Sequence, residues 1–87
     1  MIESVQSISS DPDKAAILQL QKIEEYYKNR GDRAEAVKVM QDVLQRAKSP
    51  TLRNATAVML ADALNETGKS TEAIAVLRKA LDENLAR

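Results

Sequence analysis

The chain contains no cysteine and no histidine. The absence of cysteine excludes disulfides, thiolate nucleophiles and cysteine-based metal sites. The absence of histidine removes the commonest general base and the commonest metal ligand. The neighbouring carboxylates Glu24 and Glu25 point about 100° apart on a helix, so they form no facing catalytic pair. We therefore expect no enzymatic activity, no cofactor and no metal.

Aromatic residues are nearly absent, since Tyr26 and Tyr27 are the only two. The core must therefore consist of aliphatic side chains. No excess charge is present either, because thirteen basic residues balance thirteen acidic ones. A nucleic-acid-binding protein carries a basic surface, and an electrostatic membrane anchor needs one too. We expect neither partner, although an RNA-binding helical repeat remains a third hypothesis that a salt-titrated binding assay would test.

Glycine and proline are also scarce, with two of each, while helix-forming residues dominate. This composition predicts an all-α fold. The first ten residues lack the basic start and apolar run of a signal peptide, and no stretch approaches the roughly 18 apolar residues of a membrane span. A cytoplasmic protein is the simplest prediction. A chain cut from a secreted or longer protein would have the same features.

The chain is predicted to consist of a flexible N-terminal segment, residues 1–10, and a single domain, residues 11–87. The alternative for the first segment is a short extra turn of helix, because Ile2, Val5 and Ile8 are spaced by three residues. Loose termini are the more frequent case.

Capping residues and apolar spacing together predict four helices. The predicted starts are Asp11-Pro12, Asp32 with Glu35 three residues later, Ser49-Pro50, and Ser70. Gly31 and Gly68 are expected to end the first and third helices. Each helix has one apolar stripe. The stripes are Ala16, Leu20, Ile23 and Tyr27; Ala36, Val37, Met40, Val43 and Leu44; Ala57, Leu60, Ala61 and Leu64; and Ala73, Ile74, Leu77, Ala80 and Leu81.

The second half of the chain repeats the first at a distance of 37 residues, as the pair Gly31 and Gly68 shows. Apolar positions coincide along most of the shifted alignment. The matching pairs include Leu20 with Ala57, Ile23 with Leu60, Tyr27 with Leu64, Glu35 with Glu72, Ala36 with Ala73, Val37 with Ile74, Met40 with Leu77, and Leu44 with Leu81. One helical hairpin is therefore used twice, in repeat one at about 13–48 and repeat two at about 50–85.

This pattern resembles the tetratricopeptide repeat family. The resemblance is carried by Leu60-Ala61, Leu64, Gly68, Glu72-Ala73-Ile74 and Ala80-Leu81 in repeat two, and by Leu20, Ile23, Tyr27, Gly31, Glu35-Ala36-Val37 and Leu44 in repeat one. It implies two stacked helix-turn-helix hairpins in an α-α superhelix. Ala36 and Ala73 would allow close helix approach, and Met40 and Leu77 would fill the gaps between helices.

Some residues depart from the family pattern. Glu24 occupies a position where the family prefers a small residue, so the first hairpin is expected to pack more loosely. The repeat is also three residues longer than the usual 34, with the extra length around 47–51. Sel1-like repeats share this longer period, and we keep them as a variant, although their additional glycine is missing here.

The resemblance implies a non-catalytic protein-interaction module, an adaptor or scaffold that binds a partner peptide or helix in a groove. The groove-facing residues would come from the first helix of each hairpin. They are Leu18, Gln21, Lys22, Glu25, Lys28, Ala55, Val58, Met59, Asp62 and Asn65. Gln21, Glu25 and Met59 do not suit the clamp that some members use for a C-terminal carboxylate. The expected ligand is instead a peptide with apolar anchors and a basic residue, and ordinary exposed residues are the equally weighted alternative.

Each hairpin of a repeat array buries its faces against its neighbours, so terminal repeats usually carry a polar capping helix. The last predicted helix has no such cap after it in this sequence. Ile74, Leu81 and Leu85 are therefore expected to form an exposed oligomer or capping face. Self-association, a partner helix, or the N-terminal segment with Ile2, Val5 and Ile8 could cover this face, and we favour a homodimer. This is the basis of the alternative function, a self-assembly module that forms a homodimer, or a fragment of a longer repeat array.

Overall fold

Four α-helices make up the protein in a computed structural model that describes residues 11–87. They are α1 (Pro12–Asn29), α2 (Arg33–Arg46), α3 (Pro50–Glu66) and α4 (Ser70–Leu85). The described residues contain no strand, so the predicted all-α class is confirmed. The predictions for residues 1–10, including Ile2, Val5 and Ile8, lie outside the described part of the chain.

Two of the predicted helix caps are confirmed. The Asp11 carboxylate accepts hydrogen bonds from the backbone N–H groups of Asp13 (3.0 Å) and Lys14 (3.2 Å). The Ser49 hydroxyl accepts one from the Leu52 N–H at 3.1 Å. In both helices a proline follows at the first helical position, where no N–H is needed.

Asp32 is the N-cap of α2 as predicted, but the capping hydrogen bonds expected at the starts of α2 and α4 are absent. Asp32 precedes α2 but its side chain makes no capping hydrogen bond, and Glu35 pairs with Lys38 instead of closing a capping box. Lys69, not Ser70, is the N-cap of α4, and Ser70 is the first helical residue. Both helices directly follow a glycine turn, so the turn fixes where they begin without a side-chain cap.

The two glycine turns have the same geometry. Gly31 has φ +70° and Gly68 has φ +79°, in the left-handed region that glycine adopts without the steric cost of a Cβ. In each turn the following N–H reaches back to the preceding helix: Asp32 donates to Tyr27 O and Lys69 to Leu64 O, both at 2.8 Å. The repeated glycine thus marks a repeated hairpin.

The core is built around α3, which contributes six buried residues where α1 contributes only Leu20. α3 packs against each of the other three helices, whereas α2 and α4 do not contact each other. One contiguous cluster joins all four helices. Its buried members are Leu20, Ala36, Val37, Met40, Leu60, Ala61, Ala63, Leu64 and Ala73.

The predicted core stripes are correct for α2 and α3 and partly wrong for the outer helices. The small residues Ala36 and Ala73 are buried as expected. Ile23 and Leu77 belong to the predicted stripes but are exposed. Ile74 and Leu81 are exposed too, as the prediction of an exposed oligomer or capping face requires. The reason is that α1 and α4 each have a helix neighbour on one side only, so part of their apolar stripe faces away from the core.

Met40 and Leu77 occupy equivalent positions in the two hairpins but differ in burial, 0% against 38% exposed. We predict that Met40→Ala lowers the free energy of unfolding by about 2–5 kcal/mol, because it leaves a cavity in the core. Leu77→Ala should cost about 1 kcal/mol or less, because much of its side chain is already in water. Urea denaturation of both variants checks this, and equal losses would contradict it.

Candidate functional site

The predicted groove residues lie on α1 and α3, which pack against each other. Eight of the ten are exposed, while Ala55 and Met59 are partly buried, and Met59 packs against the core cluster. Leu18 and Val58 are large apolar side chains that remain exposed on these two helices. The pair of neighbouring helices therefore offers apolar side chains to a partner.

Acidic residues lie beside this surface. Glu24 is partly buried, and burial, reinforced by the negative charges of Glu66 and Asp62, raises the pKa of its carboxyl group. Lys28 and Arg33 oppose that effect only in part, since Arg33 is already paired with Glu66. The carboxylates of Glu24, Asp62 and Glu66 therefore lie near one another beside the groove residues of α1 and α3.

Arg53 of α3 joins the ends of two other helices. Its Nη1 donates to the carbonyl oxygens of Leu44 (2.7 Å) and Ala47 (3.0 Å) at the C-terminal end of α2. Its Nε and Nη2 bind the two carboxylate oxygens of Glu83 on α4, each at 3.0 Å. The hydrogen bonds from Arg53 lower the pKa of Glu83, and the same contact raises the pKa of Arg53.

A cleft of about 470 Å³ opens between α2 and α4, with α3 as its floor. The Arg53–Glu83 pair, Leu44, Leu60 and Lys79 are among its lining residues. This cleft cannot be predicted from the sequence, because Arg53 and Glu83 are 30 residues apart and resemble ordinary surface charges. Their pairing depends on how α4 is placed against α3.

The outer face of α4 is formed by Ile74, Leu77, Leu81 and Leu85, and all four are exposed. They recur at steps of three and four residues and so share one side of the helix. Leu81, for example, is 55% exposed. Within residues 11–87, the exposure of Ile74, Leu81 and Leu85 agrees with the prediction that no other helix packs on them. Their role as an interface stays a prediction.

Two kinds of site are missing from the described residues. No group of three or more acidic side chains there is arranged to hold a metal ion. None of the four helices in residues 11–87 combines the length and the hydropathy that a membrane span needs.

Comparison with known proteins connects the second hairpin to a family. Residues 56–86 match the model of the tetratricopeptide repeat, and the four helices fit repeats of that kind. Repeats of this family generally mediate protein–protein interaction and are typically not catalytic. The comparisons with curated proteins and with solved structures gave no match.

Glu24 provides a test of the acidic surface. Because the pKa of Glu24 is raised in the folded state, its ionisation destabilises the protein at neutral pH. We predict that Glu24→Gln increases the free energy of unfolding at pH 7. The difference from wild type should vanish as the pH falls through the raised pKa towards the ordinary value of 4.5. Urea denaturation across this pH range is the measurement, and a destabilised variant at pH 7 would contradict the burial argument.

Glu83 should behave in the opposite way. Its lowered pKa means that the ionised carboxylate stabilises the fold above the ordinary value of 4.5, and that this contribution is lost as the pH falls through the folded-state pKa below it. We predict that Glu83→Gln has a lower free energy of unfolding than wild type at pH 7. The two values should become equal at acidic pH. Asp82→Asn is the control, since it removes the same charge from an exposed neighbour of Glu83. If the free energy of unfolding depends on pH in the same way for both variants, the Arg53–Glu83 pair does not stabilise the fold.

Proposed function

We propose that residues 11–87 act as one non-catalytic, cytoplasmic protein-interaction module that binds a partner peptide or helix across α1 and α3. The match of residues 56–86 to a family of interaction repeats supports the general role. The observation that supports this surface is the exposure of Leu18 and Val58 beside a group of carboxylates.

The chemistry of this surface favours a particular kind of ligand. Leu18, Val58 and the partly buried Met59 would accept apolar anchors, since apolar area removed from water drives association. Asp62 and Glu25 would attract a lysine or arginine of the ligand. The ligand is therefore a peptide with apolar residues on one side and a basic residue at one end.

Selection from a random peptide library on the immobilised protein tests this proposal. The enriched peptides should carry leucine, isoleucine or methionine together with lysine or arginine. Val58→Asp should weaken their binding about tenfold or more, because it places a charge where an apolar side chain docks. Asp62→Asn should weaken only those peptides that keep the basic residue. Fluorescence anisotropy measures both affinities.

The matched control is Ala75→Asp, which places the same charge on an exposed position of α4. It should leave peptide affinity unchanged. If the selected peptides bind the Val58 variant as well as wild type, the surface of α1 and α3 is not the binding site.

A second candidate function is self-assembly through α4, as a homodimer or larger oligomer, or as one segment of a longer repeat array. The observation that favours it is the exposed apolar outer face of α4, formed by Ile74, Leu77, Leu81 and Leu85. Such faces on small proteins usually mark interfaces.

A further inference from the structure

The first hairpin shows what covers the face of α2 that corresponds to the outer face of α4. In the first hairpin, Val37 and Met40 are buried in the same cluster as Leu60 and Leu64 of the following helix, α3, and Leu44 packs against that cluster. The 37-residue repeat places Ile74, Leu77 and Leu81 at the same positions of α4. Within residues 11–87 no helix packs on α4 in the place where α3 packs on α2, and these three side chains are exposed.

At the other end of the described chain, α1 has a corresponding side on which no helix packs. α3 contacts the preceding hairpin, and Arg53 hydrogen-bonds to the end of α2. Thr56, Leu60 and Ala63 lie on the same side of α3 as Arg53 and are fully or almost fully buried. The equivalent positions of α1 carry Ala16, Gln19, Ile23 and Tyr26, and we define these four residues as the outer face of α1. Ile23 and Tyr26 are exposed, since no hairpin precedes α1 within residues 11–87.

From this correspondence we infer that the protein associates head to tail with a second copy of itself, the outer face of α1 in one copy packing on the outer face of α4 in the next. This rests on the self-assembly candidate above and names the surface that meets α4. The junction between copies repeats the internal junction of α2 with α3. This contact is heterologous, so each assembly has one uncovered face at either end and can add further copies.

The internal junction also sets the direction of packing. α1 would lie antiparallel to the α4 beneath it, as α3 lies antiparallel to α2.

The test measures the mass of the 87-residue chain by sedimentation equilibrium from micromolar to millimolar concentration. Wild type is expected to exceed two copies, with no plateau at the dimer. Leu81→Asp and Ile23→Asp should each weaken self-association at least about tenfold, because each places a charge in one of the two faces.

Mixing these two variants is the decisive measurement. Each retains one intact face, so an equal mixture should form a one-to-one dimer and grow no further. That result also shows that both variants are folded. A wild-type chain that stays monomeric throughout would overturn the inference. A second contradicting result would be a mass that stops at two copies while the Ile23→Asp variant associates as well as wild type. That result would indicate a two-fold dimer of α4 with α4, which does not use α1.

Leu18→Asp is the matched control for Ile23→Asp, because Leu18 is on the same helix and is 39% exposed against 38% for Ile23. It lies about 140° away around the helix and should not change the mass. Ala75→Asp serves the same purpose on α4. Ile23→Asp and Leu81→Asp should still bind the peptides selected on α1 and α3, so failure of the groove proposal and failure of this one are distinguishable.

Discussion

The structure depends on the burial of α2 by α3. A helical hairpin of this size has two apolar sides and can cover only one of them by folding on itself. Met40 is fully buried because α3 follows α2 and brings Leu60 and Leu64 into the same cluster. The Arg53 guanidinium adds hydrogen bonds to the last carbonyl groups of α2, which would otherwise need water or a cap. Two hairpins become one folded unit at this junction.

The same residue pattern has different consequences at the two ends. Ile23 and Leu60 are equivalent by sequence, as are Leu77 and Met40, yet one member of each pair is exposed and the other buried. The difference does not come from the residues themselves. It comes from whether a neighbouring hairpin is present, as expected for an architecture in which each repeat is stabilised by its nearest neighbours.

Local signals were sufficient to predict the four helices, because Asp11, Ser49 and the two glycines act within a few residues of themselves. Periodicity also identified which residues share a side of each helix. It does not show which sides are covered, so it predicts burial for Ile23 and Leu77, which are exposed. Long-range pairs such as Arg53 with Glu83 cannot be predicted from the sequence, since neither residue has an unusual neighbourhood in it. The groove residues were identified as a set by family resemblance, and their role in binding stays a prediction.

Arg53 also sets the relative strength of the internal and external junctions. Its counterpart in α1 is Ala16, which has no side-chain donor for the last carbonyl groups of a preceding helix. A second copy stacked on α4 would therefore reproduce the apolar packing of the internal junction without its hydrogen bonds. Such a contact is weaker than the one that folds the chain, and it also pays the entropy of association that the covalent connection between α2 and α3 avoids. The proposed head-to-tail association would therefore be reversible and would depend on concentration, and it would leave the proposed peptide-binding surface of α1 and α3 open.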